Sequence, residues 1–244
     1  MKRLLSTMKV DLTVQVRNNL YTIGIVVGVL IAVVLWQISP PDQLHWIIPV
    51  FMMLAVGGTT LLYVAGMILF EKDEGTINAV IVSPLRISEY LWSKIITLGA
   101  LATVESIVMI GGAMLLILWF GDAARMMMPN VPILLAGIVT IGVIYTLIGI
   151  VLIVRYDKIT DFLMPMAAYA VILQIPFLHF MGMIEHPLFL AIPTSAPTLL
   201  MQGAYIDLMA WEWLYAIGYT ALIIAGLTVW AHRAFQTHIV MKVG

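Results

Sequence analysis

Apolar residues in this chain come in long unbroken runs rather than in alternation. Six runs, over 20–38, 46–70, 91–120, 131–154, 162–181 and 211–231, reach the roughly 20 residues that a helix needs to cross about 30 Å of hydrocarbon. Strands of a membrane barrel would instead show an in-and-out alternation over about 10 residues, and these runs are continuous. The pattern predicts an all-α integral membrane protein with six transmembrane helices.

Ahead of the first run the period changes. At 100° per residue Leu4, Leu5, Met8, Leu12 and Val16 share one face, while Lys2, Arg3, Ser6, Lys9, Thr13 and Arg17 cover most of the other, with Val10 and Val14 interrupting it. Residues 2–17 therefore read as an interfacial helix on the inner leaflet, its basic side near anionic headgroups. A cleaved leader is not expected, because the apolar run starts only near Leu20 and no small-x-small site precedes Ser39-Pro40.

Composition agrees. Hydrophobic residues make up 62% and charged residues 10%, against about 25% charged in an average soluble domain, too few to cover a water-facing surface. There is no cysteine, so neither a disulfide framework nor a thiolate metal site exists. The net charge of −1 points to no nucleic-acid partner. The placement of charge says more than its total. Eleven of the twelve Lys and Arg residues lie at the N-terminus, around the 71–94 loop, at 155–158 and after the sixth run, while the opposite loops 39–45, 121–130 and 182–210 hold only Arg125. By the positive-inside rule both termini are cytoplasmic.

No phosphate-cradling Gly-x-x-x-x-Gly-Lys-Ser/Thr occurs, so ATP, if used, is bound by another polypeptide. No His-Glu-x-x-His or Gly-x-Ser-x-Gly occurs either, and no catalytic residue is assigned. His179, Glu185 and His186, with Met126 to Met128, Met181 and Met183, match no standard ligand spacing, and no metal is assigned to them.

The most informative polar stretch runs from Glu71-Lys72-Asp73-Glu74-Gly75-Thr76 through Ile77-Asn78-Ala79-Val80-Ile81-Val82-Ser83-Pro84. Thr76 is placed to cap a short helix, Ile77, Val80 and Ile81 share one face of it, Pro84 ends it, and Ser88 offers an N-cap for the next span. Such a helix suits docking into a groove on another protein.

Here the chain resembles the permeases of the ABC type-2 transporter family. It does so through Glu71, Lys72, Glu74, Gly75, Thr76, Pro84, Leu85, Glu89, Tyr90 and Lys94, together with the interfacial helix, the six-span layout and a Pro-broken segment before the last span. The small bacterial drug-export permeases look closest, partly for the stretch from Ile192-Pro193-Thr194 to Pro197-Thr198-Leu199-Leu200. The resemblance implies a bacterial or archaeal cell-membrane exporter subunit with no cofactor of its own. Two separate ATPase subunits would bind ATP and Mg, and a second permease copy or a paralogue would complete the path. It also implies that 71–84 is the coupling helix, with Glu71, Glu74, Gly75, Thr76 and Ile77 contacting the ATPase, and that spans two and five line a central cavity for a small-molecule substrate. On those spans Thr59 and Tyr63, and Tyr169, Leu173 and Phe177, fall on i, i+4 stripes.

Two further features lie inside the bilayer. Gly24-x-x-x-Gly28 permits close helix approach, either to a second copy as dimer packing or within one chain. Glu105 is a carboxylate well inside an apolar run, where a charge costs about 2.5–3.5 kcal/mol on insertion scales. It is read either as recognising a cationic or amphiphilic substrate or as hydrogen-bonding to a Thr or Tyr of a neighbouring span. Pro165 and Pro176 predict a kinked fifth span, and Pro187, Pro193 and Pro197 make 186–208 an external re-entrant segment rather than a span. The reading is an ATP-driven export permease. Its alternatives are a proton- or ion-coupled transporter using Glu105, and a non-transporting membrane scaffold or sensor.

Overall fold

Each change of direction along the chain falls where helix geometry gives way to a residue that tolerates the break. The computed structural model describes residues 2–40, 42–77, 85–121 and 127–240. Helix α1, Lys2–Arg17, ends at Asn19, whose φ of 58° is left-handed, a conformation that Asn adopts more readily than most residues, and α2 follows as Leu20–Ile38. Next come α3, Leu44–Asp73; α4, Ile87–Phe120; α5, Val131–Ile153; α6, Ile159–Gln174; a single turn α7, Phe177–Phe180; α8, Ser195–Gln202; and α9, Ala210–Phe235, which runs on into a π-helical turn, Gln236–Val240. The described residues contain no strand, and six helices among them are long and apolar enough to cross a membrane.

The ends of these helices have local causes. α4 starts before Ser88: its N-cap is Arg86, whose N–H donates to the Glu89 carboxylate at 3.0 Å, so the predicted Ser88 cap is replaced by Glu89 folding back on the first turn. Asn130 caps α5 by accepting the Ile133 N–H, with Pro132 in the first turn, where a missing N–H costs nothing. The fifth span continues through Pro165 but breaks at Ile175-Pro176 before resuming as α7, because Pro176 has no N–H to continue the ladder.

α3 and α5 form the centre. Of their apolar windows 67% and 72% of the residues are buried, against 22%, 17% and 22% for α2, the α6–α7 span and α9, which stand at the periphery. The central contact requires a glycine: a Cβ on Gly57 of α3 would lie 2.3 Å from the Tyr145 ring of α5, and Tyr145, fully buried, donates its hydroxyl to the Met53 carbonyl at 3.0 Å. α2 lies along α4, and α1 packs on the first part of α4.

The segment predicted as Pro-broken consists of a 3₁₀ turn, Pro187–Ala191, and the short α8, and residues Ser195–Met201 of α8 are all buried against the bundle. Its backbone is held by side chains: Thr194 donates to the Leu173 carbonyl at 2.6 Å, and Tyr215 to the Leu190 carbonyl at 2.6 Å.

Candidate functional site at the end of the second span

The last turn of α3 carries Glu71 and Lys72, and each is held on a different side. Glu71 accepts from the Tyr90 hydroxyl at 2.5 Å and pairs with the Lys94 ammonium, both on α4. Lys94 is fully buried and also pairs with Asp11 of α1 at 2.6 Å, while Ser93 donates to the same carboxylate. The ammonium lies 5.2 Å from the Tyr90 ring centroid. One buried cation thus joins α1, α3 and α4. On the other side Lys72 donates to the Tyr156 carbonyl at 2.5 Å and the Val154 carbonyl at 3.2 Å, with Asp157 at 3.4 Å, tying α3 to the connection between α5 and α6.

Beyond this anchor the chain leaves the helix by a left-handed step. The Glu74 N–H donates to the Phe70 carbonyl and the Gly75 N–H to the Lys72 carbonyl, and Gly75 has φ +70°, the position where a helix C-terminus favours glycine. Glu74 and Thr76 are exposed, whereas Glu71 is half-buried in the ion network and Ile77 is buried in the chain's own core. Of the five residues expected to contact an ATPase, Glu71 and Ile77 therefore face inward as anchors. Thr76 and Ile77 are already helical, so Thr76 is inside the helix rather than its cap. The remainder of the predicted coupling helix, 78–84, lies outside the described residues.

Within the bilayer the structure joins four of the predicted residues in one cluster. Thr59 donates to the Glu105 carboxyl at 3.1 Å. A Cβ on Gly24 would lie 3.2 Å from the Tyr63 hydroxyl and 3.7 Å from a Glu105 oxygen, so both groups converge on this glycine. The Tyr63 hydroxyl and the second Glu105 oxygen make no hydrogen bond of standard geometry. A Cβ on Gly28 would lie 3.1 Å from the Glu105 carbonyl and 3.1 Å from the Val108 side chain. Of the two readings of this glycine pair, dimer packing or packing within one chain, the contacts seen are within the chain, where the absence of side chains lets α2 lie flush on α4. Glu105 is 1% exposed and takes the interhelical role.

The stripe on the fifth span divides. Tyr169 is 41% exposed on the outer face of the bundle, but Leu173 is buried and Phe177 packs against the core. Gln174 donates to the Leu54 carbonyl at 3.0 Å. The inward pair is therefore core, which leaves Tyr169 as the member of the stripe open to a partner or to lipid.

Asp11 was not among the residues singled out from the sequence. Its signal was available: it is the sole acid in α1, and with Gln15 four residues on it makes a polar pair beside the apolar stripe, which turns both into the protein, at 3% and 0% exposure.

Comparison with known proteins bears on this architecture. Residues 2–243 match the model of the fluoroquinolones export permease protein family. Two curated relatives, fluoroquinolones export permease proteins of Mycobacterium tuberculosis strains CDC 1551 and H37Rv, are each 29% identical over 250 residues, covering 100% of this chain and 99% of theirs. The expectation of a permease, drawn from the 71–94 loop and the six-span layout, and of drug export, drawn partly from the 192–200 stretch, thus agrees with whole-length similarity, and the chain belongs to the fluoroquinolones export permease protein family.

Proposed function

We propose that this chain is the membrane-spanning subunit of an ATP-driven exporter of amphipathic aromatic drugs, fluoroquinolones among them, working as a pair of permeases with two separate ATPase subunits. The observation that carries this reading is the root of the 71–84 loop. Glu71 is bonded to α4, and through Lys94 to Asp11 of α1, and Lys72 to the α5–α6 connection, while Glu74 and Thr76, one turn further on, are exposed. A force applied to Glu74 and Thr76 from outside enters three neighbouring elements at once through these bonds. The loop is thus a lever with a fixed root, and the ATPase is its cytoplasmic operator. In this reading the two copies meet along their sparsely buried peripheral helices, with Tyr169 of α6 facing the shared path and both termini in the cytoplasm.

Glu105 lends no support to the proton-coupled alternative. Thr59 donates to it and Gly24 and Gly28 of α2 pack over it, so among the described residues it stands as a buried interhelical group.

The test is co-expression with the candidate ATPase, followed by affinity capture and drug uptake into inverted vesicles. The unmodified chain retains the ATPase and accumulates norfloxacin on ATP addition. Glu74→Arg reverses the charge of the exposed handle, and Gly75→Pro forces φ from +70° to about −65°. Both lose ATPase retention while the permease still elutes as a folded species. Retention and transport unaffected by either substitution would remove the loop from the mechanism, and uptake driven by a proton gradient without ATPase would replace the whole reading.

A further inference from the structure

The turn after the fifth span helps to close a cavity at the end of the bundle away from Lys94. Helix α7 gives way at Gly182, whose φ of +69° is left-handed and whose N–H donates to the His179 carbonyl, so the chain turns there before Glu185 and the 3₁₀ turn. Helix α9 brings Trp211 and Glu212 in its first turn. Between these pieces and α8 lies a cavity of about 300 Å³ with apolar walls from Phe180, Leu190 and Leu199. Glu185 and Glu212 also line it, and among the described residues no Lys or Arg does. His179 borders it with its ring packed edge-on against Phe180. A Glu212 oxygen accepts the Met209 N–H at 2.7 Å, which orients the carboxylate without neutralising it. Glu185 forms no ion pair with a described residue.

Two negative charges on one small cavity favour a cation, and the rest of the lining says which kind. No group of three His, Cys, Asp or Glu among the described residues is placed to hold a metal ion, and about 300 Å³ is the size of a small-molecule site. Phe180 and Leu199 are buried and give the cavity an apolar floor. Trp211, 55% exposed at the rim, supplies the aromatic ring that attracts cations best. We propose that this cavity binds small organic cations, with the charged nitrogen held by Glu185 and Glu212 and the apolar body on Phe180, Leu190 and Leu199. Helix α9 starts at the cavity and ends at Phe235, whose ring packs on Tyr90 beside Lys94. The 24 residues between Trp211 and Phe235 rise about 36 Å, more than the roughly 30 Å of hydrocarbon, so cavity and ion network stand at opposite faces of the membrane. In the export reading the cavity is where cargo leaves; that placement rests on the proposed function, and the binding itself does not.

The test uses the full-length chain in a neutral detergent, without ATPase, and equilibrium dialysis of labelled benzyltrimethylammonium. One cation binds per chain, and benzenesulfonate, a ring of similar size with the opposite charge, does not compete. Glu185→Gln and Glu212→Gln each weaken binding about fivefold, the effect of one water-screened unit charge in contact, and the double variant about 25-fold. Trp211→Leu weakens it about threefold. Asp42→Asn removes an exposed carboxylate at the same end of the bundle outside the cavity and changes binding less than 1.5-fold. Glu185 is exposed and unpaired among the described residues, so its variant tests the site even where Glu212→Gln, which alters the start of α9, fails to fold. Equal weakening by Asp42→Asn would overturn the site in favour of diffuse attraction. Displacement by millimolar calcium but not by tetramethylammonium would overturn the organic assignment in favour of a metal ion. Because binding is read on the chain alone, its failure removes the site and leaves the ATP-driven export reading to its own test.

Discussion

Replacing Lys94 by Met removes the cation from a buried network and leaves its partners in place. Lys94 is 0% exposed, and the Asp11 and Glu71 side chains are 4% and 14% exposed, so water screens little of the loss. Deleting one partner of such a pair costs about 3–5 kcal/mol, because an uncompensated charge stays behind. Here two carboxylates stay behind, facing each other across the vacated site, with Ser93 and Tyr90 the remaining donors to them among the described residues. At about 2–4 °C per kcal/mol for a chain of this size, the apparent melting temperature falls by roughly 6–20 °C. Seven tryptophans make intrinsic fluorescence a direct reporter of that transition in detergent. The decisive comparison is the triple variant Lys94→Met, Asp11→Asn, Glu71→Gln, which removes the charges together while keeping hydrogen-bonding groups of the same shape. It recovers most of the loss, since removing a whole buried ion group is often neutral. A single variant within 2 °C of the parent, or a triple variant no more stable than the single, would refute the argument that Lys94 joins α1, α3 and α4 electrostatically.

Gly28→Leu places carbon where the Glu105 carbonyl and the Val108 side chain already stand, so it forces α2 off α4 at a cost of about 1–3 kcal/mol. The measured outcome is a lower melting temperature with oligomeric state unchanged; the reverse pattern would return this glycine to a dimer contact. Glu105→Gln keeps an acceptor for the Thr59 hydroxyl, and bonds of this kind in membranes are worth about 0.6 kcal/mol, so stability stays within about 2 °C and drug transport is retained. Transport abolished in a well-folded Glu105→Gln protein would assign this group to the path. The chain has no cysteine, so Glu74→Cys is a clean topology probe: in right-side-out vesicles an impermeant maleimide leaves it unlabelled until the membrane is opened, and immediate labelling would place the handle outside.

The membrane-spanning helices were legible because crossing hydrocarbon demands a long continuous apolar run, a constraint each segment meets alone. The polar loop after the second span was legible for a related reason, since charge and a left-handed glycine mark a helix end whatever surrounds it. The side-chain partnerships were less so. Glu105 was visible as an anomaly, and its Thr or Tyr partners were anticipated as types. That Gly24 and Gly28 press against the helix carrying Glu105 depended on which span neighbours which. Periodicity placed Tyr169, Leu173 and Phe177 on one stripe, and Pro176 marked the break in the span, but neither said that Leu173 and Phe177 meet the core while Tyr169 is left exposed.

What the amino-acid order determined by itself is which segments are long and apolar enough for lipid and which are too charged for it. Transfer free energy is a property of a segment and needs no knowledge of its neighbours. Only the tertiary structure decided that Asp11, Glu71 and Lys94, from segments up to 83 residues apart, form one buried ion network, and that Gly28 belongs to the chain's own packing. Pairing energies depend on distances between elements, and those distances exist only once the helices are packed.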